Sequence, residues 1–286
     1  MLISDSMKNN QKRVSIFYRS DNTKVIPWEN KIRAWIKSKH PEIRFDDKKP
    51  NIVITLGGDG TILEAARVYK HCNPLFIGLN LGHVGFLASI RTPKEFLSGL
   101  DLLFHNKYHI TKRMMLAAKV IRKGKTVMET TALNDIVAQN LLNVSEIEVW
   151  IDNHMVQEIR GTGVLVATGS GSTAYNLSLH GPIVTPDIKC FIITELLDHN
   201  TPTPSMVVKK NKTIKIKIKD FRQIGSLTMT KTGEPVDMLL ATDGTVSEPL
   251  LPGDEIIITK AKKMIKTAEI EEDYFFKSVK SKFSFH

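Results

Sequence analysis

Apolar positions in the first hundred residues alternate between short runs and helical stripes. Arg13 to Tyr18 reads as a strand, and Trp28, Ile32, Trp35 and Ile36 then fall at i, i+4, i+7 and i+8, one face of a helix. Ile52 to Leu56 is a short apolar strand. A helix is expected from Thr61, where Glu64 three residues on has capping-box spacing. Leu75 to Gly78 is a further strand. Thr92-Pro93-Lys94-Glu95 then repeats a cap with proline at the first helical position, and Phe96, Leu97, Leu100, Leu103 and Phe104 mark the buried face of the helix it opens. Strands alternating with helices predict a parallel sheet with covered faces.

After about residue 112 the period becomes two. Leu116 to Ile121 and Thr126 to Glu129 flank a turn at Lys123-Gly124, Ile147 to Ile151 runs into Asp152-Asn153, and Glu255 to Thr259 follows Pro252-Gly253-Asp254. Thr213 to Lys219 alternates isoleucine with lysine, a strand with one buried and one solvated face, whose lysines would also guard an exposed edge. The tail from Glu271 to Phe285 carries Phe275, Phe276, Val279 and Phe283 at helical spacings. The expected architecture is α/β plus β. A Rossmann-like α/β domain at residues 1–112, completed by 263–286 with a returning C-terminal helix, precedes a mostly antiparallel β domain at 113–262.

At 286 residues, with 42% hydrophobic and 24% charged residues, the chain has the composition of a soluble globular protein. No apolar run reaches the roughly 20 residues of a membrane helix, and the first residues have no secretory pattern. Cys72 and Cys190 stand far apart without metal-ligand spacing, so a reduced, cytoplasmic setting is expected. The net charge of +10 permits an anionic partner. No aromatic residues interleave with the lysines of 207–220 to stack bases, so no nucleic-acid partner is expected, and the lack of a long apolar run gives no expectation of a membrane partner.

Candidate chemistry gathers in three runs. The strand ending at Leu56 enters Gly57-Gly58-Asp59-Gly60, where glycines allow a tight turn with positive φ and the following helix N-terminus favours an anion. No lysine follows Gly60, which excludes a Walker loop, and Leu63 stands where a Rossmann fingerprint needs its third glycine. A carboxylate among phosphate-binding amides is a poor neighbour unless it takes a proton from an attacking hydroxyl. By spacing alone the run reads equally as a tight turn with Asp59 as a local cap.

The second run, Thr168-Gly-Ser-Gly-Ser-Thr173 followed by Ala174 and Tyr175, clears space for a flat ligand and offers hydroxyl donors. A bare connecting loop of that length would lose much entropy for little core. The third run, Asn134-Asp135 ahead of an apolar strand, suits ribose hydroxyls or an adenine edge, although alone it is more often a turn. His83 has no acidic or cysteine neighbour and reads as a loop-stabilising residue.

In order, GGDGTIL (57–63), GLNLGHVGFLA (78–88), LNDIV (133–137), RGTG (160–163), and GSTAYNLS followed by HGPIV (171–184) resemble the NAD kinase family. Asp243-Gly244 and the aromatic-basic tail 274–283 also look like family features. The resemblance implies phosphorylation of the adenosine-ribose 2′-hydroxyl of NAD by ATP with Mg²⁺. Asp59 would be the proton acceptor, and Gly57, Gly58 and Gly60 would let the loop approach phosphates. Asn134 and Asp135 would hold the dinucleotide, Thr173, Ala174, Tyr175, Asn176, Leu177 and Ser178 would wall the adenosine pocket, and Arg160 would lie near the nicotinamide half. A homodimer or homotetramer is implied as well. Thr162 replaces the aspartate of the family's RGDG, Gly169-Ser170 departs from its TPTGSTAY, a Pro-His-Ser-Leu run is missing from 193–207, and Thr245 stands for a glutamine. These departures motivate the alternative of a non-catalytic NAD(P)-binding sensor. A lipid or sugar kinase of the same superfamily fits less well, because it leaves the GSTAY run unexplained.

Overall fold

A computed structural model describes residues 11–21, 25–82, 85–199, 203–225, 227–229, 233, 235–271 and 273–283. His83 lies outside them. The chain opens with β1 (Arg13–Phe17), α1 (Ile26–Lys39), β2 (Arg44–Phe45), β3 (Ile52–Leu56), α2 (Asp59–Tyr69), β4 (Leu75–Leu79), α3 (Phe96–Phe104) and β5 (His109–Arg113). There follow β6 (Leu116–Arg122), β7 (Lys125–Ala132), β8 (Asp135–Asn140), β9 (Ser145–Ile151), β10 (His154–Gly161), β11 (Gly163–Thr168) and the single turn α4 (Tyr175–Ser178). Next come β12 (Cys190–Leu196), β13 (Met206–Lys209), β14 (Ile214–Phe221), β15 (Leu227–Thr228), β16 (Pro235–Val236), β17 (Met238–Thr242), β18 (Thr245–Leu250) and β19 (Glu255–Lys260). The described chain ends with β20 (Ile265–Glu269) and α5 (Tyr274–Phe283). Two compact units result, one from the residues up to Arg113 together with those from Ile265 onward, the other from Met114–Met264.

The first unit is built on one sheet of order β2-β1-β3-β4-β20-β5. Strands β1, β3, β4 and β20 run parallel, and β5 closes the edge antiparallel. All five residues of β3 and of β4 are buried, as expected of central parallel strands covered on both faces. Ile32 and Ile36 of α1 and Phe96, Leu100 and Leu103 of α3 join Ile54, Leu56, Ile77 and Leu79 in its core. Trp28 meets Phe96 edge-on at 4.9 Å between ring centroids.

One boundary differs from expectation. Helix α2 begins at Asp59 with Gly58 as its N-cap and no side-chain cap bond, two residues before Thr61. The turn at Gly57 (φ +148°) already points the chain into the helix, so Thr61 lies inside the first turn and the Thr61–Glu64 capping box does not form. Glu64 instead stands 3.8 Å from Arg19.

The second unit has two six-stranded sheets, ordered β10-β9-β14-β19-β6-β7 and β13-β12-β11-β8-β17-β18. Ile214, Ile216 and Ile218 of one pack with Ile136, Val164, Val166 and Leu240 of the other in a shared core. The outward face of the second sheet is buried too: Val137, Leu165, Ala167 and Ile192 form a further cluster with Val184 and Leu179 from the segment after β11. Period two in β8 therefore puts Asp135 and Val137 on the face beneath that segment, opposite Ile136 and Ala138. The lysine strand β14 is not an edge. It pairs with both β9 and β19, Lys219 reaches Glu148 at 2.7 Å, and Lys215 lies 4.6 Å from the Trp150 ring centroid.

Candidate active site

In the first unit, β3 and β4 are parallel neighbours, so the turns at their carboxyl ends lie side by side, the usual ligand position in such sheets. The turn after β3 carries Gly57, Gly58, Asp59 and Gly60, and the one after β4 leads to Gly85, Phe86 and Leu87. The two meet at Asp59. Its Oδ2 accepts the Phe86 N–H at 2.7 Å and its Oδ1 accepts the Leu87 N–H at 3.0 Å. Both bonds fix the carboxylate at the first position of α2, half-buried at the helix N-terminus.

The three glycines of the turn have different reasons. Gly57 alone takes glycine-type backbone, and a Cβ there would fall 2.3 Å from Thr61 Oγ1. Gly58 has φ −85° and nothing within 4 Å of its Cβ position. At Gly60 the nearest such atom is Arg19 Nη1 at 3.8 Å. Gly58 and Gly60 thus leave open space rather than enable the turn, a correction to the shared role expected of them. Arg19, at the carboxyl end of β1, brings a partly exposed cation to this rim that spacing alone did not reveal.

Behind Asp59 the unit holds buried charged and polar groups. The fully buried Arg113 guanidinium donates to Thr267 Oγ1 at 3.1 Å and to Glu269 at 3.3 Å. Burial lowers its pKa, while Glu269, Tyr274 and Asp59 oppose the shift. The buried Tyr274 phenol is raised well above its ordinary value, first by burial and then by the Asp59 charge.

In the second unit, Asn134 and Asp135 are buried where β8 begins. The Asp243 carboxylate accepts the N–H groups of Leu133 (2.8 Å), Asn134 (2.7 Å) and Asp135 (3.3 Å). Asp243 and Gly244, with φ of 48° and 71°, form the tight turn between β17 and β18. This fastening role of Asp243 was missed in the sequence. The loop after β11 closes on the same place: Thr168 Oγ1 donates to Leu133 O at 2.7 Å, and a Cβ on Gly171 would lie 2.1 Å from Asn134 O. Asn134 Oδ1 is left buried without a protein hydrogen-bond partner. Asp135 is pushed up to about 7, chiefly by burial and then by Asp243.

The predicted adenosine wall divides. Tyr175 and Ser178 are exposed on α4, and Thr173, Ala174 and Leu177 are half-buried beside them. Asn176 is fully buried, its Nδ2 donating to the carbonyls of Ser172 and Pro182 and its Oδ1 accepting from Thr194. It therefore shapes the loop rather than presenting a free polar atom. Arg160 lies apart, exposed on β10 at the edge of the other sheet, with its backbone N–H donated to Asp198. Thr162 Oγ1 donates to Leu196 O at 3.1 Å, so its hydroxyl is engaged within the fold.

Residues 2–108 match the ATP-NAD kinase N-terminal domain, and residues 134–270 match the ATP-NAD kinase C-terminal domain. The NAD kinase of Lachnoclostridium phytofermentans is 34% identical over 252 residues, covering 87% of this chain and 85% of that protein. The chain belongs to the NAD kinase family. It is thus a member of a phosphotransferase family, and solved structures share its fold. The yeast NADH kinase complexed with NADH superposes with a TM-score of 0.85 at 21% identity, over 98% of this chain and 89% of that one. An NAD kinase from Archaeoglobus fulgidus in complex with ATP gives 0.73 at 23% identity, over 94% and 99%. Among the described residues no helix is long and apolar enough to cross a membrane.

Proposed function

We propose that this chain is an NAD kinase, transferring the γ-phosphoryl group of ATP to the 2′-hydroxyl of the adenosine ribose of NAD to give NADP and ADP. The observation that carries the reading is the Asp59 carboxylate, held by two backbone amides at the start of α2 beside glycines with open space. Each oxygen that accepts one N–H retains a lone pair, so the carboxylate can still receive the proton of an incoming hydroxyl. As the new O–P bond forms, the bond from the γ-phosphorus to its bridging oxygen breaks, ADP departs, and Asp59 keeps the proton.

Phosphoryl transfer otherwise demands alignment and charge neutralisation. The first amides and dipole of α2 provide part of that charge, and Arg19 stands at the same rim. Among the described residues no group of three or more His, Cys, Asp or Glu side chains is arranged to hold a metal. Mg²⁺ is read as part of the metal–nucleotide substrate, carried on its phosphates.

Asn134 and Asp135 are assigned to the dinucleotide on the strength of the free Asn134 oxygen. Thr173, Ala174, Tyr175, Leu177 and Ser178 line its adenosine half, and Asn176 sets their loop. Arg160 is assigned to the nicotinamide half by family pattern. A cytoplasmic homo-oligomer completes the reading. The test is NADP formation from NAD with ATP and Mg²⁺ by the purified chain, with Asp59→Asn in parallel. No NADP from the wild-type protein would sink the function, and undiminished Asp59→Asn turnover would sink the role of Asp59.

A further inference from the structure

The strip that grips Asp59 is itself gripped by a segment about 180 residues later. The Tyr274 hydroxyl donates to Gly85 O at 3.4 Å, and Arg91 Nη2 donates back to Tyr274 O at 2.7 Å and to Ser278 Oγ at 2.5 Å. The Arg91 guanidinium also lies 4.7 Å from the Tyr274 ring centroid. One residue along, the Phe86 ring packs against Phe275 and Phe283 at 5.8 and 6.5 Å between centroids, with Lys282 Nζ 5.4 Å above it. Ser89 Oγ donates to Ala268 O on β20. Tyr274 and Ser278 are the buried positions of α5.

Residues 85–91 have no regular ladder of their own beyond a single bridge from Ile90 to Leu79. The Phe86 and Leu87 amides would otherwise be carried on a loop. From this geometry we propose that Tyr274 is a positioning residue: with Phe275 and Phe283 it fixes the Gly85–Leu87 strip and, through two amides, the Asp59 carboxylate. The inference rests on the phosphotransfer role assigned to Asp59. It adds that the terminal helix sets the turnover of the site without touching substrate.

The experiment combines kinetics with residue-level amide exchange on the full chain. Tyr274→Leu is expected to lower kcat by about 10- to 100-fold while KM for NAD and ATP stays within about twofold, because misplacing a reacting group costs turnover more than binding. Tyr274→Phe, which keeps the ring under Arg91 but loses the hydroxyl donated to Gly85 O, should fall between Tyr274→Leu and wild type. In an Asp59→Asn background Tyr274→Leu should cost nothing further, since the two act as one unit. Without reference to activity, the Phe86 and Leu87 amides should exchange about tenfold faster or more in Tyr274→Leu. Unchanged exchange at those amides, or a full second loss in the double variant, overturns the proposal. Should Tyr274→Leu not fold, Phe275→Ala applies the same test from the half-buried side of the helix. A wild-type protein that makes no NADP would refute the functional reading, while the exchange measurement would still decide the clamp.

Discussion

Gly85 has no room for a side chain, because a Cβ there would lie 2.2 Å from Asp59 Oδ1. The contact is with the flexible end of Asp59, so the fold can absorb it by moving the carboxylate. Gly85→Ala is therefore expected to leave the protein folded but to displace Asp59 from the Phe86 and Leu87 amides. A displacement of about 1 Å predicts roughly a 10²-fold fall in kcat with a smaller change in KM. Steady-state NADP formation, with circular dichroism as the folding control, checks it. Wild-type kcat in Gly85→Ala would show that this contact does not set the carboxylate.

Asp59→Asn keeps the shape of the side chain and removes the base. One of its two amide contacts becomes N–H against N–H, so a stability loss of about 1 kcal/mol accompanies the chemical loss. Turnover should fall by about 10²–10⁴, the range for removing a general base. Binding of NAD measured by calorimetry should change far less than kcat.

Arg19→Ala tests the cation at the glycine rim. Its guanidinium is about half exposed and shared with Asp21 and Glu64 at 3.3 and 3.8 Å, so its field is partly screened and spent. The expected outcome is a rise of about three- to tenfold in KM for ATP, shrinking at high salt, with little change in KM for NAD. An unaltered KM for ATP at low ionic strength would remove Arg19 from the phosphate site.

Local chemistry made the strands legible. The buried run Ile52–Leu56 and the turn at Lys123-Gly124 follow from short-range pattern, and the structure has them. The start of α2 was misread because a glycine N-cap has no side-chain signature, whereas Thr61 and Glu64 imitate one. The place of β14 in its sheet was hidden because alternating lysines look the same at an edge and beside Glu148. The site was legible as separate runs but not as fastenings. Asp59 with Phe86 and Leu87, and Asp243 with residues 133–135, join positions 27 to 110 apart, which no local period records.

Asp135 supplies a pH signature that separates its burial from its binding role. Its folded pKa of about 7 lies above the ordinary carboxyl value, first through burial and second through Asp243. Between about pH 4 and 7 the folded chain therefore holds a proton that the unfolded chain has released. The contribution of this group to stability is full at low pH, declines as pH rises through that window, and is constant above it. The whole decline is on the order of 4 kcal/mol. Asp135→Asn abolishes the titration, so urea midpoints should fall less steeply from pH 5 to 7 in the variant than in wild type. A ribose hydroxyl donating to Asp135 favours its ionised form. Binding of NAD near pH 7 should then release part of a proton, measured by calorimetry in buffers of different ionisation enthalpy, and Asp135→Asn should not release it. Equal pH slopes in the two proteins would contradict the raised pKa, whereas equal proton release would place the dinucleotide's hydrogen bonds elsewhere.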